Sequence, residues 1–171
     1  MTSILLRKNM NPLFATLPGV LLMTMALPIP AEAQIQGVPI IAKGVCDQKS
    51  GVTIDGTTSQ FACDIVVITR TNRGTVLIQF TDKSGDDGRI LGFAGTIEGK
   101  QGFGADKIQM MGVERVYLGG GVQPIPATKG SCILTWTGLV RTGGKLKTII
   151  CGGRGNADGH DITGMAILTA R

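Results

Sequence analysis

The chain has 171 residues, 43% of them hydrophobic and 17% charged, with a formal net charge of +5. Aromatic residues make up only 4%. That is too few to interleave with basic residues in a base-stacking nucleic-acid platform, or to form the girdles of an outer-membrane barrel. No block of like charges occurs anywhere, so the mild positive balance describes a solvated surface before it describes a partner.

The chain opens with Arg7-Lys8, continues through an apolar stretch from Leu13 to Leu27, and reaches Ala31-Glu32-Ala33. A basic start, an apolar centre and a small-x-small end are the marks of a secretory signal peptide. Pro18, Pro28 and Pro30 make the stretch a poor membrane-spanning helix, and no later segment approaches the roughly 18 apolar residues a span needs. Arg7-Lys8 is not a twin-arginine pair, and no cysteine follows the apolar stretch as a lipoprotein requires. Residues 1–33 therefore read as a cleaved signal peptide and 34–171 as a single exported β domain, secreted or periplasmic. Those 138 residues keep 15 basic and 11 acidic side chains, a net +4.

All four cysteines, Cys46, Cys63, Cys132 and Cys151, fall in the exported part, which in an oxidising compartment predicts two disulfides. The closest two are 17 residues apart and the chain has one histidine, so the spacing does not suit zinc, and no cofactor is expected.

Glycine supplies the punctuation. Asp55-Gly56, Asn72-Arg73-Gly74, Asp87-Gly88, Gly99 to Gly102, Gly119 to Gly121, Gly143-Gly144 and Asn156 to Gly159 are seven turn signals, which predict about eight strands. Cys63 to Ile68 is apolar on both faces except for Asp64, as in a doubly covered strand. Thr75 to Thr81 alternates, with Val76, Ile78 and Phe80 on one face. Leu91, Phe93 and Ile97 share a side of the next segment. Asp106 to Leu118 has a helix-like start and stop, but Gly112, Val113, Val116 and Tyr117 argue for a strand. Gly119 to Gly130, with Pro124 and Pro126, reads as a long extended loop. Cys132, Leu134, Trp136 and Val140 line one side of the following strand, with Trp136 as a core residue, and Ile162 to Thr169 alternates less cleanly. The expected fold is all-β: one antiparallel domain of about eight strands, a small closed barrel in preference to a two-sheet sandwich. Hairpin centres near 55–56 and 143–144 favour the pairings Cys46–Cys63 and Cys132–Cys151, although four cysteines allow three connectivities.

Few residues promise chemistry. His160-Asp161 suggests a base with its orienting carboxylate, but strand neighbours point to opposite faces and are badly placed to pair. The Asp82 to Gly88 loop lacks the glycine and glutamate that an EF-hand calcium loop places at its sixth and twelfth positions. Gly152 to Asp158 and Gly138 to Lys145 each miss a glycine-rich ligand motif by one residue. The cluster worth keeping is basic. Arg70 and Arg73 flank one turn, and Arg141, Lys145 and Lys147 flank another. If the two turns share an end of the barrel they form a positive rim for an anionic partner. The reading is an exported, disulfide-stabilised binding or structural protein and not an enzyme. Its partner is an anionic envelope polymer, a small apolar ligand in the barrel, or another protein. The alternative is an inhibitor of exported proteases acting through residues 119–127, and an enzyme using His160 ranks last.

Overall fold

A computed structural model describes residues 37–72, 74–81, 89–103, 106–119, 123–138 and 144–171. They form ten strands and no helix: β1 (Ile40–Cys46), β2 (Gly51–Ile54), β3 (Thr57–Gln60), β4 (Ile65–Arg70), β5 (Thr75–Thr81), β6 (Ile90–Phe103), β7 (Asp106–Leu118), β8 (Ile125–Thr137), β9 (Lys145–Ala157) and β10 (His160–Ala170). All pair antiparallel in one sheet, in the order β1-β4-β5-β6-β7-β8-β9-β10-β2-β3, and β1 also pairs with β10. That last pairing closes eight strands into a ring, with the β2–β3 hairpin as an extra flap on β10.

The expected count of about eight is therefore the count of the ring, and the two further strands come from one break. β1 and β2 lie end to end along the same edge of β10: Cys46 pairs with Leu168, and Gly51 pairs with Met165. Between them Asp47 makes a turn, its carboxylate accepting from Lys49 N at 2.8 Å and its carbonyl from Ser50 N at 2.9 Å. Ser50, almost fully buried, accepts from Ile167 N at 3.1 Å and so ties the break to β10.

The alternation predicted for β5 is present without a fault: Val76, Ile78 and Phe80 are buried, and the residues between them are half-buried. β7 runs from Asp106 to Leu118 as a strand, as its β-branched residues require. Four expectations need correction. Gly99 to Gly102 is no turn but lies inside β6, paired with Met110 to Lys107 of β7, and the register shifts beside it leave Glu98 of β6 and Glu114 of β7 as the extra residues. The loop expected to reach Gly130 ends at Ile125, where β8 begins. The strand at Cys63 to Ile68 starts only at Ile65 and is not covered twice; Ile65 and Val67 stay half-buried because a single ring has one covered face. The β8–β9 hairpin is centred near residue 141, since Thr137 pairs with Lys145, and not on Gly143-Gly144.

Both expected disulfides are formed. Cys132 and Cys151 are direct cross-strand partners on β8 and β9. Cys46–Cys63 closes the base of the β2–β3 excursion, with Cys46 N donating to Cys63 O at 2.9 Å.

The ring is filled. Trp136, Phe80, Phe93, Ile78, Leu91 and Met111 are at most 2% exposed, and the Phe80 and Phe93 rings meet edge to face at 6.0 Å. Space for them comes from β9 and β10, whose inward positions include the paired glycines Gly153 and Gly164. A methyl group on Gly153 would stand 2.7 Å from Val116 Cγ2, and one on Gly164 would stand 3.0 Å from Leu91 Cδ1. β10 looked irregular in sequence because its inward row, Ile162, Gly164, Ala166 and Leu168, sets two small residues between two large ones. This interlocking lets the large side chains pack the interior of the ring.

Candidate functional site

A meander of antiparallel strands has two ends, and the chemistry-bearing residues divide between them. At one end the β2–β3 and β9–β10 hairpins lie side by side, because Ile54 on β2 pairs with Ile162 on β10. Each closes through a two-residue Asp-Gly turn with positive φ at both positions: 47° and 84° at Asp55-Gly56, 53° and 85° at Asp158-Gly159. These are the values that the right-handed strand twist demands of a tight hairpin.

Their adjacency brings Asp55 to His160. His160 Nδ1 lies 2.5 Å from Asp55 Oδ2, and Asp55 Oδ1 accepts from Asp161 N at 2.9 Å. The adjacent carboxylate plays a different part: Asp161 pairs with Arg154 at 2.7 Å on the neighbouring strand. The orienting carboxylate for His160 thus comes from a residue 105 positions away. The hydrogen bond to Asp55, and then its charge, hold the imidazole above its ordinary 6.5. The same hydrogen bond, followed by the Asp161 amide, holds Asp55 below 3.8. Both side chains are more than half exposed, so the pair orients more than it stabilises.

The sign follows from each direction. His160's contribution is complete below pH 6.5 and is lost as pH rises through its raised value; that of Asp55 is complete above 3.8 and is lost as pH falls through its lowered value. Since His160 is the only histidine, its ring resonances give an unambiguous NMR titration. The midpoint is expected above 6.5 and should fall back toward it in Asp55→Asn; an unchanged midpoint would show that the pair does not form in solution.

His160 stands on the rim of a cavity of about 410 Å³, within the usual range for small-ligand sites. Ile54, Leu118, Ile125 and Ile162 supply apolar walls, and Gln123, Asn156 and Asp158 supply polar groups. Pro124 and Pro126 also line it, while Ile125 between them is 6% exposed. The described part of the 119–127 segment therefore forms a cavity wall; residues 120–122 lie outside the described residues. With Nδ1 tied to Asp55, Nε2 is the nitrogen that takes or gives a proton. No serine, threonine, cysteine or lysine is among the described lining residues to serve as its nucleophile.

The other end collects the basic residues. Arg70 closes β4 just before the β4–β5 turn, and Lys145 and Lys147 open β9 just after the β8–β9 connection. In an antiparallel meander those two connections share an end, with Lys107 at the start of β7. Lys147 Nζ is bound to Asp106 Oδ2 at 2.9 Å. Arg73 and Arg141, the other two members of the expected cluster, lie outside the described residues, as does the Asp82 to Gly88 loop. The mouth of the ring here is a cavity of about 190 Å³, walled by Ile40, Ile68, Val76 and Ile97, with Arg70, Gln109 and Trp136.

Sequence reasoning found the basic residues and both Asp-Gly turns but missed Asp55 as the partner of His160. The turn chemistry was the available signal; the β2–β10 pairing that uses it was not. No family model, curated protein or solved structure matches this chain.

Proposed function

We propose that residues 1–33 are a signal peptide removed on export, and that residues 34–171 act in the periplasm or outside the cell as a binding protein for an anionic envelope polymer such as lipopolysaccharide or peptidoglycan. The Arg7-Lys8 start, the broken apolar stretch and Ala31-Glu32-Ala33 support the first part. Two disulfides are consistent with an oxidising compartment. The observation that carries the binding reading is topological: the β4–β5 and β8–β9 connections share one end, so Arg70 and Lys145 bring positive charge there, beside Lys147 paired with Asp106.

The test is a pull-down on each polymer across a salt series. Each basic residue near an anionic surface contributes about 1 kcal/mol, so Arg70→Gln with Lys145→Gln is expected to weaken capture roughly thirtyfold. Capture should also vanish near 1 M salt, where screening acts within about 3 Å. Capture that ignores both the substitutions and the salt removes this reading.

A second reading rests on a specific observation, the Asp55-oriented His160 on the rim of the larger cavity. It is general acid–base chemistry on a small molecule held there. A panel of ester, amide and phosphodiester substrates tests it. The turnover expected is lost in His160→Ala and kept in Arg70→Gln; turnover that survives His160→Ala ends it.

A further inference from the structure

At the basic end, the mouth of the ring is closed from below by Trp136, which is 2% exposed and whose indole Nε1 has no hydrogen-bond partner. A guanidinium only donates, and Arg70 is the one charged side chain among the described residues lining this cavity. Gln109 adds an amide that adapts to either role. The remaining walls are aliphatic and offer polar atoms no compensation. The volume, about 190 Å³, exceeds the roughly 150 Å³ that takes up a benzene ring in an engineered apolar cavity.

From this combination we propose that the mouth of the ring is a binding site for a small amphiphilic anion, an aliphatic or aryl carboxylate. Its apolar part is taken between Ile68, Val76 and Ile97, and its carboxylate accepts from Arg70. Trp136 lines the floor of the mouth, its Nε1 buried away from solvent. The proposal deepens the reading of this end as an anion-binding surface, and it rests on that reading for the role of Arg70. It differs in demanding an apolar portion, which charge alone does not.

Trp136 is the sole tryptophan, so its emission reports on this cavity and no other part of the chain. The purified protein is titrated with decanoate, decanol and decyltrimethylammonium, each below its micellar concentration. Decanoate is expected to shift the emission saturably. Decanol, decyltrimethylammonium and the Arg70→Gln variant with decanoate should each bind at least about tenfold more weakly. Ile97→Phe, which occupies the mouth, should abolish the shift; far-UV circular dichroism and intact disulfides show that this variant is folded, and Arg70→Gln at an exposed position tests the same site without touching the walls. Equal binding of decanoate and decanol, an unaffected Arg70→Gln, or no emission change overturns the proposal. If polymer capture stays salt- and Arg70-dependent while decanoate fails to bind, the cavity inference falls and the polymer reading stands. If decanoate binding depends on Arg70 while polymer capture does not, the reverse holds.

Discussion

Trp136→Ala is expected to lower the stability of the fold by about 3–5 kcal/mol, the range for deleting a large aromatic from a filled core. Trp136 is the largest of the fully buried side chains, on the inward row of β8 with Cys132 and Leu134. β8 is held on both sides, Trp136 pairing with Lys107 of β7 and Leu146 of β9, so the backbone has little freedom to collapse into the gap. Trp136→Phe separates packing from polarity. It keeps most of the ring contacts and removes an indole N–H that has no partner, so it should cost clearly less than the alanine variant. Urea unfolding followed by circular dichroism, with the slope against denaturant unchanged, measures both. A loss below about 1 kcal/mol in the alanine variant would mean that the core is not closed around this residue.

The second large effect belongs to the β8–β9 disulfide. Changing Cys132 and Cys151 together to alanine should lower stability by about 3 kcal/mol, mostly by freeing the unfolded chain over the 19-residue separation. Cys46 and Cys63 span 17 residues and constrain the unfolded chain almost equally. Access divides the two bridges: Cys132 and Cys151 are fully buried, whereas Cys46 is only half-buried at the base of the flap. Under mild reductant with alkylation, mass spectrometry should find Cys46 and Cys63 modified first. Cys132 and Cys151 should follow only as the protein unfolds. Simultaneous loss of both bridges in native buffer would contradict this order.

Glycine illustrates how far local pattern carries. Asp55-Gly56 and Asp158-Gly159 were legible as tight turns because only a few residue types accept the positive φ that such hairpins need. Gly99 and Gly102 carry the same composition, yet they sit within β6, where pairing with β7 outweighs the local preference. Gly153 and Gly164 punctuate nothing; they are small so that Val116, Phe93 and Leu91 can reach them across the ring. A single residue type thus serves turn, strand interior and core hole, and its neighbours in sequence distinguish only the first. The candidate site divides in the same way. Arg70, Lys145, Lys147 and His160 were each visible as chemistry, whereas Asp55 became relevant only through a flap laid against β10.

By itself, the sequence determined the all-β class and the alternating inward rows of β5 and β8, and it favoured, without deciding, the strand at Asp106–Leu118 and both cysteine pairings. These follow from period-two alternation and turn stereochemistry, which act over a few residues, and from cysteine spacing about those turns. Tertiary structure alone decided the split of β1 from β2, the Asp55–His160 pair and the gathering of Arg70 and Lys145 at one end. Each depends on which distant edges meet when the ring closes. Closure is set by the fit of large and small side chains across the interior, a relation between residues far apart in sequence that no local period records.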